Sequence, residues 1–318
     1  MTAIPINGNA IAGRIRARVA REVALLKRQR DITPGLAVVL VGDDPASSVY
    51  VRTKARHAQA VGFTSQQFLL PVHVAETELL TLIQALNIDD SVDGILVQLP
   101  LPSHIDRWRV LEAIDPSKDV DGFHPYNAGR LAAGRPALVP CTPLGVLHLI
   151  KTVVSDLNGL DVVVIGRSNI VGKPLAVLLG DAGCTVTGAQ LQTRNLPDLC
   201  RQSDIVVSAA GSAGLVRGDW LKPGAIVIDV GINRAIDSTG APKLVGDVAF
   251  TEATKRAGYI TPVPGGVGPM TVAYLLANTV SAAVSRRGFQ LSLDHEHDQV
   301  RSSCRRWQDC AADLQATT

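Results

Sequence analysis

The stretch "LDVVVIGRSNIVGKPLAVLLGDAG", residues 160–183, decides the fold. Val162, Val163, Val164 and Ile165 make a short β-branched run of the kind found in strands buried on both faces. Gly166 ends that run, and a helical pattern starts at Gly172. A strand, a glycine turn and a helix in that order let backbone amides and the positive helix end face a pyrophosphate. The pattern departs from G-x-G-x-x-G, because Ser168 stands at the second glycine position and the spacing to Gly172 is longer. A tight strand-to-helix connection without any ligand uses the same glycines, so the stretch by itself argues topology.

Downstream, "CTVTGA" (184–189), "DIVVSAAG" (204–211) and "AIVIDVGI" (225–232) continue the alternation of apolar runs and helical spacers. Upstream, Ile11, Ile15, Val19 and Leu26 recur at near-helical spacing between residues 9 and 30. They are followed by "LAVVLVG" (36–42), a helix opened by Asp43 or Asp44 and Pro45, "FTSQQFLL" (63–70), the helical "ETELLTLIQAL" (76–86) and "GILVQLP" (94–100). Two such series predict an α/β protein with parallel sheets covered on both faces, the second series a Rossmann-like doubly wound domain. Between them "PSKDVDGFHPYNAGRLAAGRPALVPCTP" (116–143) reads as a long polar connection, the kind that is functional or linking. "TVAYLLANTVSAAVSRR" (271–287) reads as a long apolar helix packing back across both halves. We therefore divide the chain into a first domain, 1–140, completed by the helix 271–287, a nucleotide-binding domain, 141–270, and a polar extension, 289–318.

Composition narrows the function classes. A net charge of +2 and 4% aromatic residues give no basic, aromatic-interleaved surface for nucleic acid. Five cysteines, odd in number and widely spread, lack zinc spacings and suit reduced thiols in a cytosol. His295 and His297 stand in the polar tail, where solvated histidines are the common case, so no metal is expected. No leader pattern opens the chain and no window approaches a membrane-spanning length, which predicts a cytoplasmic protein.

"GDDPASSVYVRTKARHA" (42–58) places Tyr50 and Lys54 four apart on one helical face. A helical lysine is ordinarily solvated, and an aspartate such as Asp121 in "KDVDGF" ordinarily caps a loop. Seven ordered segments change the balance: "VGDDPASSVYVRTKARHAQAVG", "DGILVQLPLPSHID", "PSKDVDGFHPYNAGRL", "PCTPLGVLHLI", "VVVIGRSNIVGKP", "GDVAF" and "TPVPGGVGPMTVAYLLANTV". Together they resemble the bifunctional methylenetetrahydrofolate dehydrogenase/methenyltetrahydrofolate cyclohydrolase family of one-carbon metabolism, nearly to Arg287 and in family order.

The resemblance implies a folate cleft between the domains, tetrahydrofolate derivatives as substrates, NADP as cofactor with NAD possible, and a homodimer. It implies Tyr50 and Lys54 as the catalytic tyrosine and lysine, Gln98 as the glutamine touching that lysine, and Asp121 as the carboxylate holding the pterin. These residue types suit the chemistry. One carboxylate accepts hydrogen bonds from a ring N–H and an adjacent amine. A partly neutral lysine can take a proton from water and return it to a ring nitrogen, and a neutral glutamine orients it without adding negative charge. By the same resemblance Pro264, Gly265 and Gly266 lie beside folate and nicotinamide. Gly166, Arg167, Ser168, Gly172, Ile232 and Thr142 lie against the dinucleotide.

The chain also departs from the family. Where it usually reads His-Ser-Arg/Lys-Thr, this sequence has Gln190, Leu191, Gln192 and Thr193, which removes two phosphate contacts. Arg167 remains and Arg194 can substitute. A degenerate paralogue with cyclohydrolase activity only, or a non-catalytic folate binder, is the alternative expectation.

Overall fold

The structure, a computed structural model, describes residues 2–236 and 240–288. The extension after Gly288, with His295 and His297, lies outside the described residues. β1 (Ile4–Pro5) leads into α1 (Gly8–Arg30). Asn7 Oδ1 accepts the Ala10 N–H at 3.0 Å, satisfying one orphan donor of the first turn. Lys27, Arg28 and Arg30 complement the dipole in the last turn, and the buried stripe Ile11, Ile15, Val19, Val23 and Leu26 follows the helical period.

β2 (Gly35–Val41), α2 (Pro45–Ala60), β3 (Thr64–Leu70), α3 (Glu76–Ile88) and β4 (Gly94–Val97) follow. The three strands form a parallel sheet ordered β3-β2-β4. Every residue of β2 and β4 is buried, whereas β3 alternates exposed and half-buried positions. Coverage of both faces therefore holds for two strands, and the polar "TSQQFLL" stands at an edge. α2 starts where Asp44 Oδ2 accepts the Ser47 N–H at 2.8 Å, with Pro45 in its first turn.

After α4 (Arg107–Ala113), the stretch read as a plain connection folds α5 (Pro125–Ala132) and the start of α6 (Cys141–Lys151). His124 Nδ1 accepts the Tyr126 N–H at 3.0 Å, an N-cap that the proline-glycine content conceals.

The second half runs β5 (Asp161–Ile165), α7 (Gly172–Asp181), β6 (Thr185–Ala189), α8 (Leu196–Gln202), β7 (Ile205–Ser208), β8 (Ile226–Asp229), the hairpin β9 (Asn233–Ile236) and β10 (Pro242–Val245), α9 (Phe250–Ala253), β11 (Tyr259–Ile260) and α10 (Val267–Arg286). Its six-stranded parallel sheet is ordered β1-β11-β8-β7-β5-β6. The chain steps from β5 to β6 on one side, then to β7 and β8 on the other. That reversal opens a crevice beyond the carboxyl ends of β5 and β7, the usual ligand position of a doubly wound sheet. β1 joins this second sheet while the helix following it packs on α10, so the N-terminus ties the second sheet to the last helix.

α10 packs most extensively on α1 and α6. Val272, Leu275, Leu276 and Val280 are buried, each stabilising by about 1.5–3 kcal/mol relative to exposure. By length and composition this helix could cross a membrane, which corrects the expectation that no window would; 78% of that apolar window is buried inside the fold. Its end is clamped by Asp93, whose Oδ1 accepts from Arg286 at 2.7 Å and Arg287 at 2.6 Å while Oδ2 accepts the Gly35 N–H at 3.1 Å.

Candidate active site

Lys54 sits on the third turn of α2, 8% exposed, and its Nζ donates to Gln98 Oε1 at 3.0 Å. Gln98 follows the buried β4, and its Nε2 donates to the Leu99 carbonyl at 2.6 Å. That second bond fixes the amide orientation, so the oxygen faces the amine. Separated by 44 residues in sequence, the pair joins a helix to a strand end within the first half of the chain.

Asp121 enters the same cluster from the connection after β4. Burial pushes its carboxyl up to about 6, the Lys54 charge pulls it down, and the Asp119 charge adds to the rise. Its loop is held by residues that the motif reading passes over. Asp119 accepts from Phe123 N–H at 3.1 Å, His124 N–H at 2.8 Å and Asn127 Nδ2 at 2.9 Å. Asn278 of α10 donates to the Val120 and Val139 carbonyls, both at 2.9 Å, and Cys141 Sγ donates to Val120 O at 3.2 Å. Burial and the neighbouring Asp121 charge push the Cys141 thiol well up, so it stays a neutral wall.

Tyr50 lies one turn before Lys54 and lines a cavity of about 870 Å³ between the two halves of the chain. Pro264, Gly265 and Gly266 line it from the loop before α10, and Ile232 lines it from beyond β8. A Cβ on Gly8 would fall 1.8 Å from the Gly266 carbonyl, so the start of α1 and this loop touch backbone to backbone. Asp229 anchors the β8 end: Oδ1 accepts from Gly231 at 3.0 Å and Asp247 at 2.9 Å, and Oδ2 from the Val248 amide at 2.9 Å. Burial raises its carboxyl to about 6 against those bonds, with the Asp247 charge adding. Asp247 in turn accepts from Ala210, Gly211 and Ser212 amides and from Asn233 Nδ2 at 2.7–3.1 Å, tying the β7 end to the hairpin.

Gly166 has φ +114°, and a Cβ there would meet the Ala209 carbonyl at 2.2 Å. A Cβ on Gly172 would meet the Gly166 carbonyl at 1.8 Å. Both glycines are therefore required by the close turn. Ser168 Oγ accepts the Val171 N–H at 3.1 Å, holding the turn against the first amides of α7. This cradle of backbone at a helix start fits the diphosphate of a dinucleotide. Arg167 is exposed beside it, and Leu191, Gln192 and Arg194 are exposed at the end of the adjacent β6. Thr142 bonds Thr271 at 2.9 Å, joining α6 to α10, and is not among the residues lining the cavity.

A doubly wound sheet with a glycine turn suited to a diphosphate, a cavity lined from both halves, and a Lys54–Gln98 pair with Asp121 beside it, one helical turn from the cavity's Tyr50 and not itself lining the cavity, define a two-domain protein of the dinucleotide-dependent enzyme class. Comparison with known proteins is specific. Residues 6–121 match the catalytic domain of the tetrahydrofolate dehydrogenase/cyclohydrolase family and residues 140–287 match its NAD(P)-binding domain. The chain belongs to that family. It is 59% identical over 288 residues to the bifunctional protein FolD of Nitrobacter hamburgensis, covering 91% of this chain and 98% of that protein. The bifunctional FolD methylenetetrahydrofolate dehydrogenase/cyclohydrolase of Campylobacter jejuni superposes with a TM-score of 0.86 at 49% identity, over 89% of this chain and 99% of that one. The Trypanosoma brucei enzyme complexed with NADP cofactor and inhibitor gives a TM-score of 0.86 at 43% identity, over 91% and 99%.

Proposed function

We propose that this chain oxidises 5,10-methylenetetrahydrofolate to 5,10-methenyltetrahydrofolate with NADP and hydrolyses the product to 10-formyltetrahydrofolate, using one folate site for both steps. The observation that carries the reading is the buried Lys54 amine held at 3.0 Å by Gln98, beside Asp121 and next to a cavity that the nucleotide half also lines.

When bound, the dinucleotide supplies the hydride acceptor. For that step the protein's task is placement: Asp121 accepts the pterin N–H groups, Tyr50 borders the ring, and the Pro264–Gly266 loop and Ile232 bring the reactants together without bulk. Hydrolysis needs proton transfer. Water adds its oxygen to the one-carbon cation, Lys54 Nζ takes a proton from it, and the bond to the ring nitrogen N5 breaks as that nitrogen is protonated, with one proton released overall. Gln98 keeps the amine aimed and contributes no charge.

Gly166, Arg167, Ser168 and Gly172 are proposed to hold the diphosphate, with Arg194 nearest the adenosine phosphate and Thr142 acting through α10. The altered Leu191 and Gln192 lie exposed at the β6 end, apart from the Lys54 cluster, which supports both activities over a degenerate binder. The division into a first domain through residue 140, completed by α10, and a nucleotide domain through 270 is supported by the two sheets. A homodimer is supported by the exposed edge of β6, and cytoplasmic residence by the unpaired Cys141, Cys184 and Cys200. Purified protein given methylenetetrahydrofolate and NADP should produce reduced-nicotinamide absorbance and then consume the methenyl chromophore; absence of both signals defeats the reading.

A further inference from the structure

β7 and β8 end side by side, with Ser208 and Asp229 in register, and a second aspartate, Asp247, returns to that point from the hairpin. Asp247 Oδ2 accepts from Ser208 Oγ at 3.2 Å, Ala210 N–H at 2.7 Å and Gly211 N–H at 3.1 Å. Its Oδ1 accepts from Ser212 N–H and Asn233 Nδ2, both at 2.9 Å. Asp247 and Asp229 are fully buried, and among the described residues neither forms an ion pair. Two neighbouring carboxylates buried without a cation work against the fold, and an apolar pair would join the same strands without that penalty. The arrangement therefore serves something besides stability.

What Asp247 holds lies on both sides of the crevice. On one side, Ala209 N–H donates to the Ile165 carbonyl at 2.7 Å, and its own carbonyl faces Gly166, where a Cβ would come within 2.2 Å. The next residues, Ala210 to Ser212, are those whose amides Asp247 gathers, so the carboxylate backs the diphosphate turn. On the other side, a Cβ on Gly231 would meet Asp247 Oδ1 at 2.1 Å, and Asn233 is bonded to it. Those two residues flank Ile232, and Val230, Gly231 and Ile232 all line the cavity. One carboxylate thus spans from turn to wall. Asp229 fixes its base by accepting the Asp247 and Val248 amides. Among the described residues this network has no hydrogen bond to Lys54, Gln98 or Asp121.

We propose that Asp247 is a positioning residue for hydride transfer alone: it sets the spacing between the diphosphate turn and the Val230–Ile232 wall, and the hydrolytic step does without it. The inference rests on the function proposed above. Hydride transfer needs its two reactants aligned, and a misplacement of about 1 Å can cost about a hundredfold in rate. Hydrolysis needs only the folate and Lys54. An asparagine at 247 fills the same space but turns an NH2 group toward one of the two donor sets, so either the 210–212 turn or the wall is pushed away.

The test compares wild type with Asp247→Asn, Asn233→Ala and Ser208→Ala. It reads dehydrogenation, hydrolysis of the methenyl compound without dinucleotide, and calorimetric affinity for NADP and for adenosine 2′,5′-bisphosphate, which lacks the nicotinamide. Asp198→Asn, at the exposed ion pair with Arg201, serves as control. For Asp247→Asn, dehydrogenation kcat is expected to fall about a hundredfold and NADP affinity about tenfold, with hydrolysis and bisphosphate affinity within about twofold of wild type. Asn233→Ala and Ser208→Ala each remove one bond and spare the carboxylate, so dehydrogenation should fall about fivefold in each while hydrolysis holds. Should Asp247→Asn fail to fold, these two decide. Equal losses in the two reactions, or bisphosphate affinity lost in step with NADP, would make the role merely structural and overturn the proposal. Wild-type dehydrogenation in both single-bond variants overturns it as well. A wild type that performs both reactions while the variants match it defeats the positioning role alone, whereas a wild type inert in both defeats the proposed function with it.

Discussion

In the proposed function side chains supply the chemistry around Lys54, whereas the backbone supplies it between Gly166 and Gly172. The first region gathers a buried amine, an amide whose oxygen accepts from that amine while its nitrogen donates to the next carbonyl, and a carboxylate on a loop that Asp119 holds. The second is a turn whose two end glycines face carbonyls where a Cβ would collide. A side-chain site depends on identity at single positions and tolerates change in its surroundings. A backbone site depends on space, and its flanking residues are free to differ, as Leu191 and Gln192 differ from the usual serine and basic residue. One region therefore reports the reaction and the other reports only the shape of its cofactor.

Replacing Lys54 by Met attacks the side-chain region at its centre. Cyclohydrolase turnover, followed by loss of the methenyl chromophore, should fall about a thousandfold or more, while hydride transfer falls far less. Equal losses in the two half-reactions would merge the roles that the comparison separates. Gly172→Ala attacks the other region through bulk alone. Its Cβ would lie 1.8 Å from the Gly166 carbonyl, so the fold should lose about 3 kcal/mol and dinucleotide affinity about a hundredfold. Denaturant unfolding and dinucleotide titration read the two effects, and a normal affinity would show that the turn holds no phosphate.

Asp121 sharpens the comparison through pH. Its carboxyl titrates at about 6, above its ordinary value, because of burial. With the ionised form accepting the pterin N–H groups as proposed, kcat/KM for the dehydrogenation, which does not use the lysine, should be flat above that pH and fall tenfold per unit below it. Asp121→Asn should lower the plateau about thirtyfold and abolish the acid limb. The smallest effect belongs to the drifted strand end: Leu191→Ser with Gln192→Arg should raise the preference for NADP over NAD about fivefold, read as a ratio of kcat/KM values. A larger change would mean that Arg167 and Arg194 contribute little.

Much of this is legible in the sequence where the signal is local. The run Val162–Ile165, the stripe Ile11 to Leu26 and the Asp44–Pro45 helix start follow from period and capping alone. Lys54, Gln98 and Asp121 become legible through a resemblance, since nothing local tells a buried helical lysine from a solvated one. Other features are carried by convergence of distant segments. Ile4 and Pro5 pair with β11 more than 250 residues later, and two residues leave no periodic trace. Asp247 and the amides of Ala210, Gly211 and Ser212 meet only in the folded chain. The hairpin β9–β10 has strands of four residues, too short for alternation to declare itself.

The strapping of first-made residues to last-made ones has a consequence for biosynthesis. β1 waits for β11, and the apolar stripe of α1 waits for α10, which leaves the ribosome hundreds of residues afterwards. The core from Ala37 to Ile114 closes within its own half, but the interior beneath α1 cannot close vectorially. The nascent chain carries Ile11, Ile15 and Val19 without their α10 partner until translation is nearly finished, an apolar stripe of the kind that invites misassembly while it is bare.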